Sequence, residues 1–218
     1  MNPDDAVWGQ HHGNATALLS ADGRYRYYLT RDLPGSAPPL HFVMLNPSKA
    51  TASEDDPTIR RCLGYARALS AESLHVWNLF AWRTTHPDQL PQDESAIGPR
   101  NDATIAAALA TAAATSAVVV AAWGAHEHPL KARQVARLLA VAGRHQVPLQ
   151  VLAMTRRGDP GHPLRLPRSL RPTAAALEPS CCPGCGCTDD QPCWPACWWV
   201  PDASTVRVCS RCAGRWTP

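Results

Sequence analysis

Eight of the chain's nine cysteines fall between Cys181 and Cys212, and the ninth, Cys62, is the only one in the first 180 residues. A segment this short with few aliphatic side chains cannot bury a core of its own, so it needs a metal or crosslinks to fold. The start of the chain, "MNPDDAVWGQHHGN", lacks the basic-then-apolar pattern of a secretory leader, which sets the expectation of a cytoplasmic protein. In that compartment clustered thiols argue for metal rather than disulfides.

Within "CCPGCGCTDDQPCWPACWWVPDASTVRVCSRC", Cys182 with Cys185 and Cys209 with Cys212 have C-x-x-C spacing. Each pair can turn two thiolates toward one ion, and two such knuckles complete a tetrahedral structural zinc site. The 23 residues between the pairs are slightly more than a zinc ribbon usually has. Cys181, Cys187, Cys193 and Cys197 remain, as a second zinc site, an alternative ligand set or part of an iron–sulfur cluster. Trp194, Trp198, Trp199 and Trp216, with Arg207, Arg211 and Arg215, can either stack on nucleic acid or form the mini-core of a metal domain. Three arginines are a thin electrostatic footprint, so the mini-core is the preferred reading.

The full chain of 218 residues leaves room for one well-buried domain of about 150 residues beside this appendage. Its 21 Lys and Arg against 18 Asp and Glu permit an anionic partner without requiring one. Residues 105–125 are uncharged and long enough to span a bilayer. They are mostly Ala and Thr and turn β-branched at Val118, so a helix followed by a strand is expected, and no membrane partner.

Apolar runs at "HFVML" (41–45), "LHVWNL" (74–79), "AVVVAAW" (117–123) and "LQVLAM" (149–154) alternate with helical patterns beginning near Pro57, Asn101 and Lys131. That alternation predicts an α/β fold with a short, mainly parallel central sheet between helical layers. "YRYYLTRDL" (25–33) is expected as an edge strand. The domains follow: an N-terminal tail over 1–22, an α/β core over 23–168, a linker over 169–180 and a cysteine-rich zinc module over 181–216.

In open parallel sheets ligands gather at the carboxyl ends of strands. There the chain places Asn46, Ser48, Asp55 and Asp56, then Asn78, Phe80, Trp82 and Arg83, then Trp123, and finally His162. Asp56 is chiefly expected as a helix cap, and Asn101 is suspected of the same. Arg60 and Arg61 are either a solvated face or, with the helix N-terminus, donors to a phosphate. Asn46 offers a donor and an acceptor beside Pro47, and His162 is a titratable group in a loop held by Pro160 and Pro163. Asp55 and Asp56 are also candidate Mg²⁺ ligands.

"MLNPSKATASEDDPTIRRC", "NLFAWRTTHPDQL", "GPRND", "VVVAAWGAH" and "GDPGHPLRLP", in that order over residues 24–168, resemble an uncharacterised bacterial and phage family, domain of unknown function 1643. The order of "MLNPS", "NLFAWRTTHPDQL", a strand ending in "WG" and a late "HPL" is also similar to the uracil-DNA glycosylase superfamily. That resemblance implies a three-layer α/β/α fold and a catalytic pair, with Asn46 positioning the attacking water and His162 facing the departing base. It further implies a pocket lined by Asn78, Phe80, Trp82, Arg83 and Trp123. Here Leu164 and Arg165 follow "HP" where the superfamily usually has a serine, and "EDDPT" has no evident counterpart. The cysteine pattern resembles a small motif appended to many phage-type proteins. The expectation is a hydrolase acting on a nucleobase, nucleoside or nucleic acid. The alternatives are a non-catalytic nucleotide or nucleic-acid recognition protein and a Mg-dependent phosphate-ester enzyme.

Overall fold

The computed structural model of the chain describes residues 7–191, 193, 197, 199–201 and 207–213. One sheet contains β1 (Val7–His12), β2 (Ala15–Ser20), β3 (Arg26–Asp32), β4 (Leu40–Met44), β5 (Ser73–Asn78), β6 (Val118–Ala121), β7 (Leu149–Val151) and β8 (Thr173–Ala174). Its strand order is β1-β2-β3-β5-β4-β6-β7-β8. The central four, β5, β4, β6 and β7, are mutually parallel. Antiparallel strands extend the sheet on both sides, so it is mixed, with a parallel centre.

The sequence explains that centre. β4 is buried along its whole length, as a strand covered on both faces must be. With side chains alternating between faces, Phe42 and Met44 join Val76 and Val120 on one side. They pack there with Ile59, Leu63 and Ala66 of α1 (Pro57–Ala68). Val43, Trp77, Val119 and Ala121 point the other way, onto Ile105 and Leu109 of α2 (Asn101–Ala114) and Leu138 and Val141 of α3 (Lys131–Arg144). The result is three layers, helix, sheet and helix. Residues 105–125 divide into most of α2 and β6, and among the described residues no helix is long and apolar enough to cross a membrane.

Three boundaries differ from expectation. Residues 7–20 are a β1–β2 hairpin rather than a tail, with Ala17 and Leu19 buried. The hairpin covers "YRYYLTRDL", so β3 is an interior strand between β2 and β5 rather than an edge. The supposed linker contributes β8 to the far edge and packs Ala175 and Leu177 on the core. The cysteine module adds a small hairpin of β9 (Trp199–Pro201) and β10 (Arg207–Cys209). It meets the core at α3, where Arg137 Nε donates to Pro183 O at 2.9 Å.

Candidate functional site

The loops leaving the parallel strands meet at one end of the sheet. The register that pairs Val43 with Ala121 carries the two chains out of the sheet side by side, toward Asn46 and Gly124. Because β3 runs antiparallel to β5, its first residue, Arg26, lies at that same end, where its backbone N donates to Ala81 O at 3.0 Å.

Asn46 is held by its amide nitrogen. Nδ2 donates to Pro47 O at 3.0 Å and Thr84 O at 2.9 Å, which joins the loop after β4 to the loop after β5. Both donor positions are thereby used, leaving Oδ1 as an acceptor.

His162 is held from the other side. Its Nδ1 accepts from Leu164 N at 3.4 Å, which leaves the proton of the neutral ring on Nε2. Burial lowers its pKa to about 4; Arg165 pushes the same way and Asp56 opposes. At neutral pH the ring is therefore an uncharged N–H donor. Gly124, at φ +76°, passes so close that a Cβ there would sit 3.4 Å from His162 Cβ. The loop is pinned by Gly124 N to Pro160 O at 2.8 Å and by Lys131, whose Nζ pairs with Asp159 at 2.6 Å and donates to Gly124 O at 3.2 Å.

Beneath the loop after β4 lies a cluster of arginines. Arg26 is only 2% exposed. Its guanidinium donates to Ala50 O at 3.2 Å and toward Asn78 Oδ1 at 3.5 Å, while its Nε has no hydrogen-bond partner. Asn78, 1% exposed, likewise leaves Nδ2 unpaired. Burial lowers the Arg26 pKa to about 10, with Asp56 opposing, so the side chain stays cationic at neutral pH. Asp56 thus acts electrostatically on Arg26 and on His162 alike.

Several candidate residues have structural duties instead. Asp56 caps α1 as expected, accepting from Ile59 N at 2.9 Å. Asp55 is bound by Arg31 at 2.7 and 3.0 Å. With both carboxylates engaged in this way, the acidic loop does not present the pair as a Mg²⁺ site. Arg60 donates to Asp55 O, and Arg61 donates to Leu166 O at 2.8 Å, so they tie loops rather than frame a phosphate. Arg83 spans Gly23 O, Ser48 O and Lys49 O at 2.9–3.3 Å, which makes it a clamp on the loop after β4; Ser48 takes part through its backbone.

The aromatic candidates are also inward. Phe80 is fully buried with His128 against its ring at 4.3 Å, and Trp123 is 3% exposed. Trp82 is half-buried, edge-on to Tyr25 at 5.6 Å, with Arg24 over its ring at 5.6 Å. None of the three presents an open face on which a base could stack. Asn101 is no cap: it is buried, and its Nδ2 braces α2 to Asn78 O and Leu79 O at 3.0 and 2.9 Å.

A cavity of about 590 Å³ lies elsewhere, between α3, β7, the segment after β8 and the cysteine module. Leu139, Val147, Leu149 and Leu177 line it, and its Asp189 is bonded to the Trp199 indole. The strand ends carry more chemistry: the loops there hold the neutral ring of His162, the Asn46 amide and the buried guanidinium of Arg26.

In the cysteine module the Sγ atoms of Cys182, Cys185, Cys209 and Cys212 all lie within 4.8 Å of one another. This suits a tetrahedral thiolate site, whose sulfur–sulfur edges are about 3.8 Å for metal–sulfur bonds of about 2.3 Å. The remaining four cysteines do not form a set of their own. The second group that converges is Cys185, Cys187, Cys193 and Cys209, while Cys181 lines the cavity beside α3. Trp194, Trp198, Trp216 and Arg215 lie outside the described residues. Trp199 packs against the buried cysteines, as a mini-core residue would.

Sequence reasoning passed over Arg26, Arg31 and Lys131. The available signals were two arginines inside an otherwise apolar strand pattern and the scarcity of lysine, since Lys49 and Lys131 are the only two.

The model of one family, described as Protein of unknown function (DUF1643), matches residues 26–164. The matched span includes Arg26, Asn46, Lys131 and His162 and leaves out the β1–β2 hairpin and the cysteine module. No curated protein and no solved structure matches the chain.

Proposed function

The chain belongs to the DUF1643 family of proteins of unknown function, and from its strand-end residues we propose a hydrolase that cleaves the N-glycosidic bond of a nucleoside, nucleotide or nucleic acid. The observation that carries the reading is His162. It is a neutral ring with Nδ1 occupied by a backbone donor and its proton on Nε2, in the loop beside Gly124. Such a group stabilises an anionic leaving base without first becoming acidic. The order of the motifs, which resembles that of the uracil-DNA glycosylase superfamily, supports the same assignment.

In this reading Asn46 Oδ1 accepts a hydrogen bond from the attacking water. The water oxygen forms the new bond to the sugar carbon as the carbon–nitrogen bond breaks. The bond's electron pair leaves with the base, His162 Nε2–H donates to it, and the proton lost by the water ends on the base. Arg26 steadies the loop after β4 through Ala50 and adds positive potential near the departing anion. The buried aromatics supply no stacking platform, so recognition rests on hydrogen bonds, which favours a nucleoside or nucleotide over a flipped base in duplex DNA.

A second reading, a recognition protein that binds such a ligand without turnover, is favoured by the unpaired Nδ2 of Asn78 and Nε of Arg26. These donors suit holding a ligand as well as transforming one.

The test is mass spectrometry of the products after incubating the full chain with a pool of nucleosides, nucleotides and oligonucleotides, beside Asn46→Ala and His162→Gln. Free base that falls at least 100-fold in both variants supports the hydrolase. Binding of a pool member without any released base assigns the site to recognition and overturns the reaction.

A further inference from the structure

The two groups of converging cysteines, Cys182, Cys185, Cys209 and Cys212, and Cys185, Cys187, Cys193 and Cys209, overlap in two members. Cys185 and Cys209 belong to both. Their Sγ atoms are 3.6 Å apart, and Cys185 is 3.4 Å from Cys193, close to the edge of a zinc–thiolate tetrahedron. Two tetrahedra that share two corners share an edge.

We propose that the module holds a two-metal cluster in which the thiolates of Cys185 and Cys209 bridge both ions. Cys182 and Cys212 complete one coordination shell, and Cys187 and Cys193 complete the other.

The alternatives leave more unexplained. Two separate four-thiolate sites would require Cys181, Cys187, Cys193 and Cys197 to converge, and Cys181 instead faces the cavity beside α3. A single ion would leave Cys187 and Cys193 as idle thiols within reach of two ligands. Sharing two thiolates also reduces the excess negative charge that eight separate ligands would concentrate in a small volume.

The backbone supports the arrangement. Cys182 N donates to Cys187 O and Gly186 N to Cys182 O, both at 2.8 Å, which closes the first turn; Gly186 takes φ +80° there. Cys212 N and Ala213 N donate to Cys209 O at 2.9 and 3.0 Å and close the second. Cys209 N points at Cys182 Sγ at 3.4 Å, an amide donor that orients a thiolate ligand. Cys197 stands at the border, 3.6 Å from Cys187 and accepting from Cys193 N at 3.3 Å. It is in neither converging set.

The test uses the full chain, stripped of metal and reloaded with cadmium-113, with metal content and ¹¹³Cd NMR as readouts. The expected result is about two ions per chain, giving two resonances split by coupling through the shared sulfurs. One ion per chain, or two resonances without coupling, overturns the proposal. Cys187→Ser is expected to lower the content from about two ions to about one, while Cys181→Ser keeps both; loss of an ion in Cys181→Ser also overturns it. If Cys187→Ser does not fold, the coupling in the unaltered chain still decides.

Discussion

The α/β core and the cysteine module are built on opposite principles. The core buries Phe42, Val43, Leu74, Val76, Trp77 and Leu109 between three layers. Among the described residues the buried cluster of the module consists of Cys182, Cys187, Val208 and Cys209, so the side chains that should exclude water include ones placed to coordinate a metal. Apolar burial scales with size and a small segment has too little of it; coordination does not scale that way. The family match divides them as well, covering the core's strand-end residues and omitting the module.

Removing metal should produce the largest divergence between the two regions. Stripping the full chain with a strong chelator is expected to leave the module unfolded, a loss on the order of 10 kcal/mol of metal-linked stability. Limited proteolysis should then cut between residues 181 and 213 while a fragment covering 7–177 resists. Simultaneous loss of both regions would show that the core leans on the module through Arg137 and the segment after β8.

The reverse experiment breaks the core and spares the metal. Trp77→Ala removes a fully buried indole and should cost about 3–5 kcal/mol in denaturant unfolding followed by far-UV signal. Metal content per chain should not change, and its loss would make the two regions one cooperative unit.

A pH dependence confined to the core is expected as well. Burial lowers the pKa of His41 to about 3, with His75 adding to the effect, and that of His162 to about 4. Both lie below the unfolded value near 6.5, so between these limits the unfolded chain binds more protons and stability falls as pH falls. The core's unfolding midpoint should decline from pH 7 to pH 5 and stay level from pH 7 to pH 8.5. A decline above pH 7 instead would point to the thiols of the module.

How much of this was legible depends on what each residue's role requires. The parallel strands could be read because buried strands are apolar throughout, and the cap at Asp56 because a carboxylate before a helix-starting proline has few other uses. The hairpin of residues 7–20 could not, since "VWGQHH" carries no strict alternation and is placed by pairing with β2. Asp55, Arg61 and Arg83 looked like ligand residues because spacing gives no sign of Arg31, Leu166 O or Ser48 O, partners far away in sequence. The C-x-x-C pairs were legible as knuckles. The sharing of Cys185 and Cys209 between two sets depends on how the turns pack, which no spacing encodes.

The most direct test of the proposed division between a reactive core and a metal-built module is base release from the same nucleoside pool by the untreated chain, the metal-stripped chain and His162→Gln. Release is expected to survive stripping and to be lost in His162→Gln. Release that disappears with the metal and persists in His162→Gln would contradict that division, and would move the chemistry to the cysteines.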